Sequence, residues 1–149
     1  MSTITIRWQR LVDAGATCPR CADTGDGVRE AADLLTTALS ALGVRVRLDE
    51  VVIDPADFAA APLASNLIVI NGRSLEDWLG GTSGQSECCD VCGPNDCRTV
   101  EVDGSSYEAI PATLVVRAGL LAASEALGEP EPATPTSRLL TLTDANACC

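Results

Sequence analysis

Cysteine is the residue type that offers the most chemistry in this 149-residue sequence, which has eight Cys and no His. The absence of His excludes Ser/His/Asp and Cys/His catalysis as well as His-ligated zinc. Thiolates bind soft metal ions and attack disulfides, so the eight thiols are candidate metal ligands or redox groups. They form three groups along the chain: Cys18 with Cys21; Cys88, Cys89, Cys92 and Cys97; and Cys148 with Cys149.

The first group is a CxxC motif, Cys18-Pro19-Arg20-Cys21. Two sulfurs three positions apart can close a redox disulfide or supply two ligands of a tetrahedral metal site. Arg20 and a nearby helix N-terminus would both favour a thiolate. In an oxidoreductase Cys18 would be the nucleophile and Cys21 the resolving thiol, whereas in a metal-binding protein both would be ligands.

The second group places four thiols within the ten residues 88–97, where Gly93 and Pro94 bend the chain. Four sulfurs at such short spacing can surround one ion, because tetrahedral zinc takes four thiolates at about 2.3 Å. The run CCDVCG also resembles the cysteine-rich loop of the arsenical metallochaperone, a thioredoxin-fold protein. The alternative is a structural zinc site that only fixes the conformation of this segment.

The third group, Cys148-Cys149, ends the sequence. It follows a Pro-rich linker at 129–137 and lies within a tail at 138–149. With both thiols free, adjacent cysteines make a two-sulfur clamp for a soft ion, and the pair resembles the vicinal cysteines at the C-terminus of mercuric reductase. We therefore predict that Cys148 and Cys149 form a transfer arm, with an incidental pair in an unstructured end as the alternative.

Alternating apolar residues and helical periodicity predict the elements that must position these thiols. Ile4, Ile6 and Trp8 alternate with polar residues, which predicts a first strand at 3–11. A helical stripe of apolar residues begins after Asp26 and ends at Gly43. The further elements are a strand at 44–53, a short helix at 54–61, a strand at 67–70, helical turns at 73–79, a hairpin at 99–110 and a helix at 111–127.

This order resembles the thioredoxin fold: strand, CxxC, helix, strand, helix, strand, hairpin, helix. The segment 66–72 (NLIVING) also resembles the glutaredoxin-like stretch that runs from the cis-proline into an Asn-Gly turn. The resemblance covers residues 3–127 and implies an α/β, thioredoxin-like three-layer fold with a mixed sheet in 1–128. The Cys-rich insertion at 80–98, rich in loop-forming residues, interrupts this domain.

Two departures from the family pattern favour metal capture over electron exchange at the CxxC. Asn66, preceded by Ser65, stands where the family has the cis-proline that shields the CxxC sulfurs. Gly25 and Gly27 follow Cys21 closely, although a redox CxxC usually leads into a continuous helix. Both changes predict an open and flexible CxxC.

Charge and hydropathy limit the possible partners. The chain has 21 acidic and 10 basic residues and a formal net charge of -11, so it has no basic surface to follow phosphates and nucleic acid is not expected as a partner. The most apolar run, 112–123, carries Arg117 and is about half of the roughly 20 residues that a membrane span needs. The N-terminal ten residues also lack the apolar run of a secretory signal. These features predict a cytoplasmic protein whose thiols stay reduced.

The sequence therefore predicts a protein that binds a thiophilic ion of the Hg, As, Zn or Cu type through thiolates. The bound ion would be zinc or a heavier soft metal, and the role would be sequestration or transfer. The expected partners are the ion itself and a metal-handling protein or a low-molecular-weight thiol. Two alternatives remain open: a dithiol-disulfide oxidoreductase that uses the CxxC, and a structural zinc-binding interaction module.

Overall fold

A computed structural model describes residues 1–88 and 90–128, which form an α/β fold with two sheets. The first sheet is mixed and has four strands, namely β1 (Ser2–Leu11), β2 (Val44–Ile53), β3 (Leu67–Ile70) and β4 (Arg73–Ser74). The second sheet is antiparallel and has three, namely β5 (Thr82–Ser86), β6 (Cys97–Val102) and β7 (Ser105–Tyr107). The α-helices are α1 (Pro19–Ser40), α2 (Pro55–Ala60), α3 (Leu75–Leu79) and α4 (Ala112–Leu127), and two short 3-10 helices cover Pro62–Ala64 and Asp90–Cys92.

The mixed sheet has the strand order β2-β1-β3-β4. Strand β1 pairs in parallel with β2 through the crossover helix α1 and pairs antiparallel with β3. Strand β3 then turns through Asn71-Gly72 into β4, and both turn residues have positive φ, 48° and 81°, as this kind of tight turn requires. Helices α1 and α4 cover the sheet, and the apolar face of β1 (Ile4, Ile6, Trp8) is almost inaccessible to solvent. Among the described residues, no helix combines the length and apolar character that crossing a membrane would need.

Helix α1 begins at Pro19, seven residues before the predicted start at Asp26, so the prediction of an interrupted chain after Cys21 was wrong. Gly25 and Gly27 lie inside the continuous helix because other elements approach its backbone there. A Cβ atom on Gly25 would lie 2.4 Å from the Trp8 ring, and one on Gly27 would lie 2.7 Å from the carbonyl oxygen of Ile110. These glycines therefore serve close packing rather than flexibility.

Replacing Gly25 with alanine is expected to lower the free energy of unfolding by about 1–2 kcal/mol. Alanine gains up to about 1 kcal/mol in helix propensity, but forcing a methyl group against a buried, rigid indole costs about 1–3 kcal/mol. Gly119→Ala is the matched control, because its Cβ would meet the flexible end of Leu35 at 2.4 Å. Denaturant unfolding of both variants measures the difference, and an equal or smaller loss for Gly25→Ala would contradict the packing explanation.

The region 80–98 is more ordered than its loop-like composition predicts. It contains strand β5, which pairs with β6, and the 3-10 helix Asp90–Cys92. Nearly all side chains of β5 are exposed, so this edge strand lacks the apolar alternation by which strands are recognised. The predicted hairpin also exists, since β6 and β7 are joined at Asp103-Gly104, but it belongs to the second sheet. The linker at 129–137 and the tail at 138–149 lie outside the described residues.

Candidate metal centre

Four of the predicted cysteines come together where the start of α1 meets the second sheet. Their Sγ atoms all lie within 4.8 Å of one another, and the residues are Cys18, Cys88, Cys92 and Cys97. Cys18 is the N-cap of α1, Cys92 ends a 3-10 helix and Cys97 begins β6. The group therefore joins one thiol of the CxxC to three thiols of the cysteine-rich segment, 70 residues further along the chain.

The sulfur separations are close to those of a tetrahedral thiolate site. The Sγ of Cys88 lies 3.7 Å from that of Cys18 and 3.3 Å from that of Cys92, and the Sγ atoms of Cys92 and Cys97 are 2.9 Å apart. Four sulfurs at about 2.3 Å from a central ion are separated by about 3.8 Å. Three contacts thus need to widen by less than about 1 Å to accept an ion.

Local backbone geometry explains how the segment brings its thiols together. The N–H of Gly93 donates to the carbonyl of Asp90 at 3.0 Å, and Gly93 has a φ of 61°, so the chain reverses directly after Cys92. A bulkier residue would be strained at this φ. The reversal lets Cys97 lie beside Cys92 although four residues separate them.

Arg20, which lies between the two CxxC cysteines, fixes the position of the segment before Cys88. Its guanidinium donates to the hydroxyl of Ser86 at 2.9 Å and to the carbonyl of Glu87 at 2.7 Å, and it forms a salt bridge with Glu108 at 3.3 Å. The side chain is only 11% exposed. Arg20 therefore holds the end of β5 against the first turn of α1.

The structure places the other CxxC thiol outside the four-sulfur group. The Sγ of Cys21 lies 3.7 Å from the hydroxyl of Ser65, and Cys18 and Cys21 are only 2% and 1% exposed. The expectation of an open CxxC was therefore wrong, because both cysteines are buried although Asn66 stands in place of the proline. Asn66 has a φ of 57° and donates from Nδ2 to the carbonyl of Glu108 at 2.9 Å, so this position ties two segments together.

Hydrogen bonds give one sulfur of the cluster the character of a thiolate. Thiol donors from Cys21 and Cys97, together with the Cys21 N–H at 3.4 Å from Sγ, hold the pKa of Cys18 well below its ordinary value. Donation to Cys18 raises the pKa of Cys21 and of Cys97. Burial raises the pKa of Cys92 to about 12. The ion-free cluster thus concentrates its negative charge on Cys18.

Binding of a divalent ion to all four sulfurs is expected to release fewer than four protons per chain at neutral pH. The lowered pKa of Cys18 makes its sulfur a thiolate before the ion binds, whereas Cys92 and Cys97, whose pKa values are raised, must each lose a proton to become ligands. The log of the affinity should therefore rise by at least two, and by less than four, for each pH unit in this range. Proton release into a weakly buffered indicator solution measures the number, and release of four protons would contradict the assignment of a thiolate to Cys18.

Three predicted ligands, Cys89, Cys148 and Cys149, lie outside the described residues, so their roles as ligands or as a transfer arm stay predictions. The sequence reasoning also missed a buried ion pair beside the cluster. Arg98, the residue after Cys97, pairs with Glu76 of α3, and both side chains are less than one-tenth exposed. A charged residue is expected at the surface, so the sequence pattern around Arg98 or Glu76 could not reveal this buried pair.

The chain is similar in sequence to a protein family and to an archaeal protein. The family model described as "Domain of unknown function (DUF2703)" matches residues 4–119, a range that includes all four clustered cysteines. A relative from Archaeoglobus fulgidus, described as "Uncharacterized protein", is 47% identical over 112 residues, which cover 75% of this chain and 82% of the relative. No solved structure matches the chain.

Proposed function

The chain belongs to the DUF2703 family, and from its four-thiol cluster we propose that it binds a thiophilic ion for sequestration or transfer. The observation that carries this proposal is the convergence of Cys18, Cys88, Cys92 and Cys97 within 4.8 Å. A set of sulfur ligands alone favours zinc, copper(I) or heavier soft ions over hard cations. Such a role suits a compartment that keeps thiols reduced, so a cytoplasmic location is part of the proposal.

We also infer that the domain is thioredoxin-like. The CxxC lies at the N-terminus of the helix that connects two parallel strands, and an antiparallel strand and a final helix follow. This arrangement supports the resemblance that the sequence carries. The segment that contains β5, the 3-10 helix Asp90–Cys92 and the start of β6 is an insertion into this fold, and it brings three further thiols to Cys18.

Titration of anaerobically reduced protein with Cd(II), a spectroscopic substitute for zinc, tests the proposed function. We expect one tightly bound ion per chain and a thiolate-to-metal charge-transfer band. Cys18→Ser should weaken binding by at least about 100-fold, because loss of a ligand costs more than loss of a group that only supports one. Cys21→Ser is the matched control and should retain binding, since its sulfur lies outside the four-sulfur group. Equal losses in both variants would favour a CxxC pair site.

A structural zinc module makes a different prediction for the same titration. A structural site is closed, with four protein ligands and slow exchange of the ion. Cys88 is only partly buried, whereas its three partners are 0–3% exposed, so one side of this cluster is accessible to external ligands. We therefore favour an exchangeable ion over a purely structural one.

One observation favours a dithiol-disulfide oxidoreductase as the second candidate. Cys18 caps a continuous helix, and the hydrogen bonds to its sulfur lower its pKa, as in an activated nucleophile. The Cys18 thiolate would attack a substrate disulfide and release one substrate thiolate. Cys21 would then lose its proton, attack Cys18 and release the second thiolate, which leaves a Cys18–Cys21 disulfide.

Both candidate functions need Cys18, so they compete. Disulfide reductase turnover that is high, abolished by Cys18→Ser and suppressed by Cd(II) would favour the oxidoreductase. Negligible turnover together with tight binding of one ion would favour the metal-binding function.

A further inference from the structure

A surface pocket opens directly beside two sulfurs of the four-thiol cluster. It has a volume of about 210 Å³ and is lined by Cys18, Pro19, Arg20, Glu87 and Cys88. Pockets for drug-sized ligands start at about 300 Å³, so this one suits a small molecule. Cys18 and Cys88 are the two lining residues that belong to the four-sulfur group.

The exposure of the four sulfur ligands differs sharply around the cluster. Cys97 is fully buried, Cys18 and Cys92 are 2% and 3% exposed, and Cys88 is only partly buried. Thiolate ligands on zinc-like ions exchange by addition of an incoming donor, for which the ion can expand to five ligands. An incoming sulfur can therefore approach along the edge between Cys18 and Cys88, which is 3.7 Å long and faces the pocket.

From this geometry we propose that the ion arrives and leaves through this pocket as a complex with a low-molecular-weight monothiol, and that Cys88 is the ligand that exchanges. The proposal rests on the proposed function, because it describes how the same cluster is filled. In the first step of release the incoming thiol loses a proton, and its thiolate binds the ion while the bond between the ion and Cys88 breaks. Cys88 takes up that proton, and no electrons are transferred. Further thiols displace the other three cysteines in the same way, and uptake is the reverse.

The charges around the pocket favour an uncharged thiol. The Arg20 guanidinium already contacts the hydroxyl of Ser86, the carbonyl of Glu87 and the carboxylate of Glu108, so its positive charge is partly neutralised. Glu87 is exposed at the rim, and the chain has a net charge of -11. An anionic thiol is therefore repelled, and 2-mercaptoethanol is the appropriate probe.

Stopped-flow transfer of Cd(II) from the loaded full-length chain to a chelator, at increasing 2-mercaptoethanol, tests the route. We expect the release rate to rise with thiol concentration. Glu87→Trp fills the pocket and should slow both thiol-dependent release and uptake by about ten-fold, so that the equilibrium affinity changes little. Glu101→Trp, which makes the same change of charge and size at an exposed residue outside the pocket, is the control and should leave both rates unchanged.

Alkylation during thiol-driven release gives a second measurement that needs no variant. Mass spectrometry should find Cys88 modified before Cys18, Cys92 and Cys97, and fragmentation separates Cys88 from Cys89. In a chain with Cys148→Ser and Cys149→Ser, the rate of Cd(II) release should still rise with 2-mercaptoethanol, because the donor is an external thiol. Loss of this dependence would show that the tail cysteines are needed and would overturn the choice of an external donor.

Tight Cd(II) binding with release that is independent of thiol, or slowed equally by Glu87→Trp and Glu101→Trp, would overturn the route alone. Failure of the unmodified chain to bind Cd(II) would instead overturn the proposed function and the route together.

Discussion

Arg98→Met is expected to lower the free energy of unfolding by about 3–5 kcal/mol, because it leaves the carboxylate of Glu76 buried without a partner. The two side chains are 8% and 7% exposed, and Arg98 also donates to the carbonyl of Leu63 at 2.9 Å. Denaturant unfolding of the ion-free protein measures this effect without a contribution from metal binding. Because Arg98 follows Cys97 directly, the variant should also bind Cd(II) more weakly.

The exposed ion pair Arg47–Asp49 provides the matched control. Its side chains are 63% and 38% exposed, and Arg47→Met should cost less than about 1 kcal/mol, as for other surface pairs. The double variant Arg98→Met, Glu76→Leu should recover most of the lost stability, since it removes both buried charges together. A loss for Arg98→Met as small as that of Arg47→Met would show that Glu76 remains solvated.

Removal of the bound ion is expected to speed cleavage after Glu87 by a glutamate-specific protease about 100-fold, relative to protein held at a free-ion concentration of about 100 times its Kd. At that concentration the ion stabilises the closed form by about 2.7 kcal/mol. Without the ion, few apolar contacts would hold this segment closed, because the side chains of β5 and of Glu87 and Asp90 are mostly exposed.

The position of the first cut checks that the loosening is local. In the ion-free protein, fragments from cleavage after Glu87 should appear before any from cleavage after Glu30, which lies in the middle of helix α1. Mass spectrometry of the digest gives the order. A rate unaffected by the chelator, or first cuts within α1, would contradict a local role of the ion.

The periodic elements and the chemistry of the cysteine-rich segment could be predicted from the sequence. Alternation predicts β1, and the Asn71-Gly72 dipeptide predicts a turn, because these signals depend on neighbours close in sequence. The density of thiols in 88–97 predicts ligands for the same reason. In the structure, three of these four residues do lie in one sulfur cluster.

What the sequence could not reveal depends on contacts between distant segments. Gly25 suggests a break in a helix when read locally, but in the structure it accommodates the ring of Trp8. Likewise, the CxxC spacing cannot tell that Cys18 joins Cys88 while Cys21 lies against Ser65. These outcomes follow from how α1 packs against the sheets, which local periodicity does not encode.

The separation of Cys18 and Cys88 gives a bound ion the role of a long-range cross-link. An ion held by both thiols closes a loop of 70 residues, and for a covalent link of that length the loss of chain entropy in the unfolded state corresponds to about 4 kcal/mol. A disulfide would give this stabilisation permanently and only under oxidising conditions. A thiolate–metal link gives it in reduced protein and can be undone by ligand exchange, so the free energy of unfolding of this chain would depend on the supply of free ion.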